Sequence, residues 1–213
     1  DNIPAKPMNL DLEVSVKSSD ELASHRLKDA LVDHGYHEMV TYSFVDQDKM
    51  RHFSSAPDWM VLSNPISNDM GVMRTSLWPG LLDAMAFNRR RKAEKQSLFE
   101  IGNCFKVIDG LLTQVNLCGI LMVGARHEEQ WSINNRSVDF YDMKGVVESV
   151  FRLSRFTDAI RWEAVQRSDL HPGQSVELFF DGESLGVLGA LHPSLLGQWG
   201  EDQSIFLFEA PVE

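Results

Sequence analysis

Cysteine is scarce: only Cys104 and Cys118 occur in 213 residues. A chain of this length can bury a sizeable core without covalent staples, so no disulfide framework is required. The two cysteines flank an expected hairpin, and their spacing leaves a disulfide open. Free, partly buried thiols in a reducing cytoplasm are the expected state. Long apolar runs are absent as well. None approaches the roughly 20 residues that cross a bilayer, and the N-terminus lacks the charged-then-apolar pattern of a secretory leader. Metal-ligand spacing is equally thin. His34 and His37 straddle Gly35, so no continuous helix presents them together, and there is no His-Glu-x-x-His, Cys-x-x-Cys or calcium-loop pattern. His171 and His192, each followed by proline, read as turn and cap residues. No Gly-x-Ser-x-Gly elbow occurs, and neither cysteine has a histidine nearby in sequence. The Gly186–Gly189 pair lacks the third glycine of a phosphate cradle, and no Walker lysine follows. Net cationic charge is missing too. At −11 overall, the domain as a whole is not a nucleic-acid-binding surface, although a local basic patch remains compatible with that balance.

What is present is ordinary globular composition, 43% hydrophobic and 24% charged, suiting one large domain or one with a short appendage. The chain starts at Asp1 without Met and ends in an expected strand, so it reads as a piece of something longer. Residues 1–17 read as a linker or the tail of a preceding domain, and 18–213 as the core domain. Within the tail, Leu10, Leu12, Val14 and Val16 alternate with polar residues as in a strand. Ser18 and Glu21 have capping-box spacing for a helix over 18–34, with Leu27, Ala30 and Leu31 on one face and Gly35 as the stop. Alternation predicts a strand over 40–45, then a solvated helix or loop over 46–57 and a short strand at 60–63. Strands at 97–107 and 115–123 flank a Gly110 turn, and 124–137 reads as a long irregular loop. Phe140, Met143, Val147, Val150 and Phe151 mark the clearest amphipathic helix, over 139–154. Strands are expected at 160–165, 176–181 and 185–191, the last two joined through Asp181-Gly182, with a short helix after His192-Pro193 and a final strand at 204–210. Many hairpin strands with a few long helices imply an α+β fold: an antiparallel sheet with helices packed on one side.

The stretch from Ser63 to Phe105 organises the rest. Asn64-Pro65 turns the chain, Thr75 and Ser76 offer capping hydroxyls, and Pro79 suits a first helical turn. Leu77, Leu81, Leu82 and Met85 share one face of the helix that follows. It ends in Arg89, Arg90, Arg91 and Lys92, which reads either as a solvated helix end complementing the dipole or as a contact for RNA phosphate or an acidic subunit. Glu100 and Arg74 are the charged residues embedded in this otherwise apolar or tightly turned region. Leu98, Glu100 and Gly102 face one side of their strand; Glu100 is expected to be held there by a hydrogen bond or ion pair, with Arg74 as the first candidate partner, the alternative being a carboxylate simply exposed at the sheet surface.

The order "LSNPIS", "MRTSLWPGLL", "LFEIGNCF", "DFYDMKGVVESVF", "LHPGQSVELFF" and "GVLGALHPSLL" resembles the beta subunit of bacterial phenylalanyl-tRNA synthetases, in its synthetase-like core, across almost the whole chain. The resemblance implies a class II synthetase catalytic-like fold, an antiparallel sheet flanked by helices, that has lost the chemistry. It implies a partner alpha subunit that activates phenylalanine with ATP, an alpha2beta2 heterotetramer, tRNA(Phe) bound through the holoenzyme, and a cytoplasmic setting with no membrane. The helix over 18–34 and the strand over 40–45 occupy the place of the class II dimerisation element, which makes Leu27 and Leu31 candidate contacts with alpha; the proline usual in that element is not evident. Where active relatives carry Arg-x-Glu to grip ATP, the triplet here is Leu98-Phe99-Glu100, and a neutral Leu supplies none of the donors of an Arg. The third class II motif's arginine is likewise replaced, at His192-Pro193. Leu98, Glu100 and Arg74 are thus read as a vestigial cleft, with no catalytic residue. The family's magnesium ligands belong to a preceding domain, so no metal or cofactor is expected in this fragment, whereas the holoenzyme needs ATP and magnesium. Two other readings stand beside this one: an independent adenylating enzyme on the same fold, and an RNA-binding module using Arg89 to Lys92.

Overall fold

The computed structural model describes residues 19–54, 59–108, 110–153 and 159–212. The expected tail at 1–17 with its alternating strand, and Ser18 of the capping box, lie outside the described residues.

Helix α1 spans Ser19–Asp33 and stops at Gly35, where the Tyr36 amide reaches back to the Leu31 carbonyl at 3.0 Å. Of the strand expected over 40–45 only the last two residues form one, β2 at Phe44–Val45, and a separate short strand, β1 at His37–Glu38, precedes the stretch. Val40 and Tyr42, expected inside a strand, are exposed outside one. Helix α2 (Gln47–Met50) follows a side-chain cap from Asp46. The expected solvated segment is not solvated throughout, because Met50 and Phe53 turn into the core. Residue Val61 makes a single bridge to Val72 rather than a strand, and β2 pairs with β3 (Val72–Met73). Helix α3 (Trp78–Arg89) buries Leu81, Leu82 and Met85 completely. Of the two offered hydroxyls, Ser76 receives the Trp78 amide at 3.1 Å, while Thr75 donates instead to the Met50 sulfur.

The long hairpin β4 (Gln96–Ile108) and β5 (Leu111–Val123) is the central feature of a seven-stranded sheet. Helix α4 (Phe140–Phe151) follows, opened by a full capping box between Asp139 and Asp142. Strands β6 (Arg161–Ala164), β7 (Leu170–Phe180) and β8 (Glu183–Leu191) form the other half, with Asp181 and Gly182 at φ 49° and 85° in the hairpin turn. Residue His171 lies within β7, at an irregularity in its pairing with β8, where its Nδ1 accepts the Gly173 amide at 3.0 Å as a turn side chain does; His192 caps α5 (Pro193–Leu196). Strand β9 (Phe206–Pro211) then inserts between β5 and β8, giving the order β1-β4-β5-β9-β8-β7-β6. All neighbours are antiparallel except β1 and β4.

Helices do not pack on one side alone, which corrects the sequence expectation. Leu117, Leu121, Val123 and Leu207 face a core covered by α3, whereas Cys118, Ile120, Met122 and Phe208 face a second core covered by α1 and α4. Strands β5 and β9 are apolar on both faces, so each face requires a cover. The two cysteines illustrate the split. Cys104 faces the first core and Cys118 the second, so they cannot pair, and both are buried rather than partly so.

Candidate functional site

One register row crosses the sheet from Glu100 on β4 through Gly119, Glu209 and Val187 to Glu177 and Glu163 on β7 and β6. Directly opposed residues share a face, so four carboxylates line the side on which α3 packs. This face is the candidate site, and its two central carboxylates are satisfied by the chain itself.

Glu100 meets Arg74 in an ion pair of 2.7 Å, with both side chains 4% exposed. Its other oxygen accepts the Thr41 hydroxyl at 2.7 Å, and that hydroxyl in turn accepts from Arg74 Nη1 at 3.0 Å. The Arg74 Nε donates to the Asn103 carbonyl at 2.9 Å, and its backbone joins Ser43 to Phe105. Space for the guanidinium comes from Gly102, where a Cβ would fall 2.4 Å from Nη2. Thr41 fits under Gly80 of α3, whose own Cβ would be 2.4 Å from the hydroxyl. Leu98, two residues before Glu100, is 3% exposed and lies in the core beneath α3. Leu98, Glu100 and Arg74 are therefore roofed over rather than open to a ligand.

The second carboxylate, Glu209, accepts at one oxygen from the Ser76 hydroxyl at 2.9 Å and from the Leu77 amide at 2.7 Å, where α3 begins. Although Glu209 keeps some accessible surface, burial dominates and raises its carboxyl above the ordinary range, against the opposing pull of those two donors. Leu77 sits against Gly119, where a Cβ would lie 2.9 Å from its own. Trp78 seals the site by donating to the Phe208 carbonyl at 3.1 Å, and the Arg167 guanidinium lies 5.3 Å over its ring. Arg167 is itself held by the fully buried Asp169 at 2.5 and 2.9 Å. Among the described residues, no group of three or more His, Cys, Asp or Glu side chains is arranged to hold a metal.

The basic run divides. Arg89 is half-buried, 2.9 Å from Glu201, and donates to the Glu94 carbonyl, so it serves the fold. Arg91 stacks 3.5 Å over Phe87, and Lys92, three residues beyond the end of α3, takes φ 68° in the turn that follows. Arg90, Arg91 and Lys92 remain exposed. Leu31 is fully buried against α4 and the sheet, so it presents no surface to a partner; this corrects its place among interface candidates. Leu27 beside it is half-buried in the same cluster.

Sequence reasoning passed over Thr41, Gly80 and Glu209. Glu209 carries the same signal as Glu100, a lone carboxylate inside an apolar strand. Thr41 carries no signal, because its partners lie 33 and 59 residues away.

A fold match is found in a pyrrolysyl-tRNA synthetase of Desulfitobacterium hafniense, PylSc, with TM-score 0.66 and 16% identity over 91% of this chain and 66% of that one. At that identity the likeness concerns the fold alone: a mixed sheet flanked by helices, as in a class II synthetase. No described helix is long and apolar enough to cross a membrane. Sequence relatives are nearer. The phenylalanine–tRNA ligase beta subunits of Coxiella burnetii and Vibrio vulnificus are 40% and 36% identical over 98% of this chain. That of Yersinia pestis is 38% identical over 91%. The chain spans about a quarter of their length, between 25% and 27%. A family model for the phenylalanyl-tRNA synthetase beta-chain CLM domain matches residues 3–211, and the chain belongs to that family.

Proposed function

We propose that this chain is the non-catalytic core of a phenylalanine–tRNA ligase beta subunit, working by assembly with an alpha subunit. In this reading alpha carries the ATP- and magnesium-dependent activation of phenylalanine within an alpha2beta2 enzyme of the cytoplasm, and tRNA(Phe) binds the whole. One observation carries the proposal. The sheet face that would form an active cleft is closed by Arg74, Thr41 and Leu77, and Glu100 spends its charge on an internal pair. Leu98, buried beneath α3, stands where a phosphate-gripping guanidinium would be needed, and the Glu100 carboxylate beside it is already paired. Val40 and Tyr42, 90% and 71% exposed after β1, offer the apolar contact that Leu31 does not. The test has two arms. Purified chain given phenylalanine, ATP and labelled pyrophosphate is expected to show no exchange above a blank. Co-expressed with its alpha subunit, the full beta subunit is expected to co-purify. Exchange by the chain alone would restore the adenylating reading, and failure to co-purify would end the assembly one.

A further inference from the structure

Helix α1 is seated at one end only. Leu31 near its C-terminus is fully buried, Leu27 one turn earlier is half-buried, and Ala23 a turn before that is exposed. Beside this front half, on the α1 and α4 side of the sheet, lies a cavity of about 280 Å³. Cys118 of β5 and Phe208 of β9, both buried, form its floor, and Val150 of α4 stands in its wall. Ala23, Arg26 and Leu27 of α1 line the rim at the i, i+3, i+4 spacing of one helical face. Arg26 is the only charged side chain in the lining, and no ion pair joins it among the described residues. Protein interiors hold few voids larger than a water molecule, so an apolar hollow of this size against a core cluster calls for a cover.

We infer that residues 10–16 of this chain, which lie outside the described residues, supply that cover, with Leu12 and Val14 set into the cavity and Glu13 beside Arg26. Position, pattern and charge each select this segment. The chain enters α1 at Ser19, about 12 Å along the helix from Leu27. Seven extended residues span about 23 Å, so a reversal before Ser19 is enough to lay them along the rim. Leu10, Leu12, Val14 and Val16 alternate with Asp11, Glu13 and Ser15, which makes one side of the segment wholly apolar. With that side inward, the two carboxylates stand at the mouth of the cavity, where Arg26 is. The tether decides against a separate occupant. A segment attached at Ser19 acts at millimolar effective concentration, which a subunit in dilute solution does not reach. Being part of this chain, it stands at the rim in the whole beta subunit as well.

The test uses the full-length beta subunit, alone and assembled with alpha, and follows the two native thiols of this domain with methyl methanethiosulfonate. Cys118 lies on the cavity floor, whereas Cys104 faces the other core and reports on the fold. Leu12→Asp and Val14→Asp are each expected to speed Cys118 labelling roughly tenfold or more, with Cys104 unchanged. Ser15→Asp, on the outward side, is expected to leave both rates as they are. A variant that speeds both thiols has lost the fold. Val14→Cys then decides, by forming a disulfide with Cys118 on oxidation with diamide where Ser15→Cys forms none. Cys118 labelling within about twofold of wild type in both inward variants, with Cys104 still protected, would overturn the inference. So would an equal acceleration in Ser15→Asp, or a disulfide yield from Val14→Cys no greater than from Ser15→Cys. If wild-type Cys118 is protected only while alpha is bound, the cover is the partner subunit and not this segment.

Discussion

At the scale of the residue, Arg74 and Glu100 are useful to one another because neither could remain alone. Truncating Arg74 to Ala leaves a carboxylate 4% exposed with only Thr41 as donor, and we expect a loss of about 3–5 kcal/mol in urea unfolding. Replacing both by Leu should recover most of that loss, since the cost lies in the unpaired charge. Equal losses in the single and double variants would show that the pair is not what holds the region. Glu209 behaves differently. Burial raises its carboxyl pKa above the unfolded value, so between the two values the native state holds a proton that the unfolded chain has released. Stability therefore falls as pH rises through that interval and does not return above it. Glu209→Gln has no proton to lose, and its amide oxygen can accept both the Ser76 and Leu77 donors, which converge on one oxygen. Urea midpoints from pH 4 to pH 8 should show the variant gaining on wild type as pH rises. A constant or shrinking gap would contradict this.

At the scale of the element, the long hairpin separates its two cysteines by face, and each core pushes its thiol upward. Burial raises Cys118 to about 12 and Cys104 further still, in each case with the nearby Glu209 adding to the shift. Native protein at pH 8 should therefore give almost no reaction with a thiol reagent, and both cysteines should react after denaturation. Rapid labelling of either in the native state would mean that the hairpin opens locally. The same hairpin shows what periodicity reveals. Leu98, Phe99, Glu100 and Ile101 alternate in a way that assigns faces correctly, and α3 and α4 declare their buried sides by their spacing. The alternation of Val40, Tyr42 and Phe44 is just as regular, but only Phe44 and Val45 find a pairing strand, in β3. Alternation records which side chains share a side; it does not record whether anything is there to cover them. The polar segment after Asp46 misleads in the opposite sense, since Met50 and Phe53 are two apolar residues that both point into the core. Arg74 and Glu100 were legible as a pair because charges set in apolar or tightly turned segments demand partners. Thr41, a small hydroxyl bridging them from a distant loop, was not.

At the scale of the whole molecule, the two cores are opposite faces of one set of strands. Alternate residues of β5 enter each, with Leu121 in one and Ile120 in the other. If α3 were lost from its face, the strands beneath would lose the packing that keeps them flat against α1 and α4, so neither core can melt while the other remains native. Leu81 on α3 and Met143 on α4 are both fully buried, on opposite sides of the sheet and in separate clusters. Each substitution to Ala should cost about 2–5 kcal/mol through lost burial and the cavity left behind. Sharing no partner, the two should add to within about 0.5 kcal/mol. Each single variant should nonetheless unfold in one transition, with near- and far-ultraviolet circular dichroism coincident, because the sheet couples what the side chains do not. Two separated transitions in either variant would mean that the faces are independent units, and the sheet would then be a partition between two cores rather than the element that binds them.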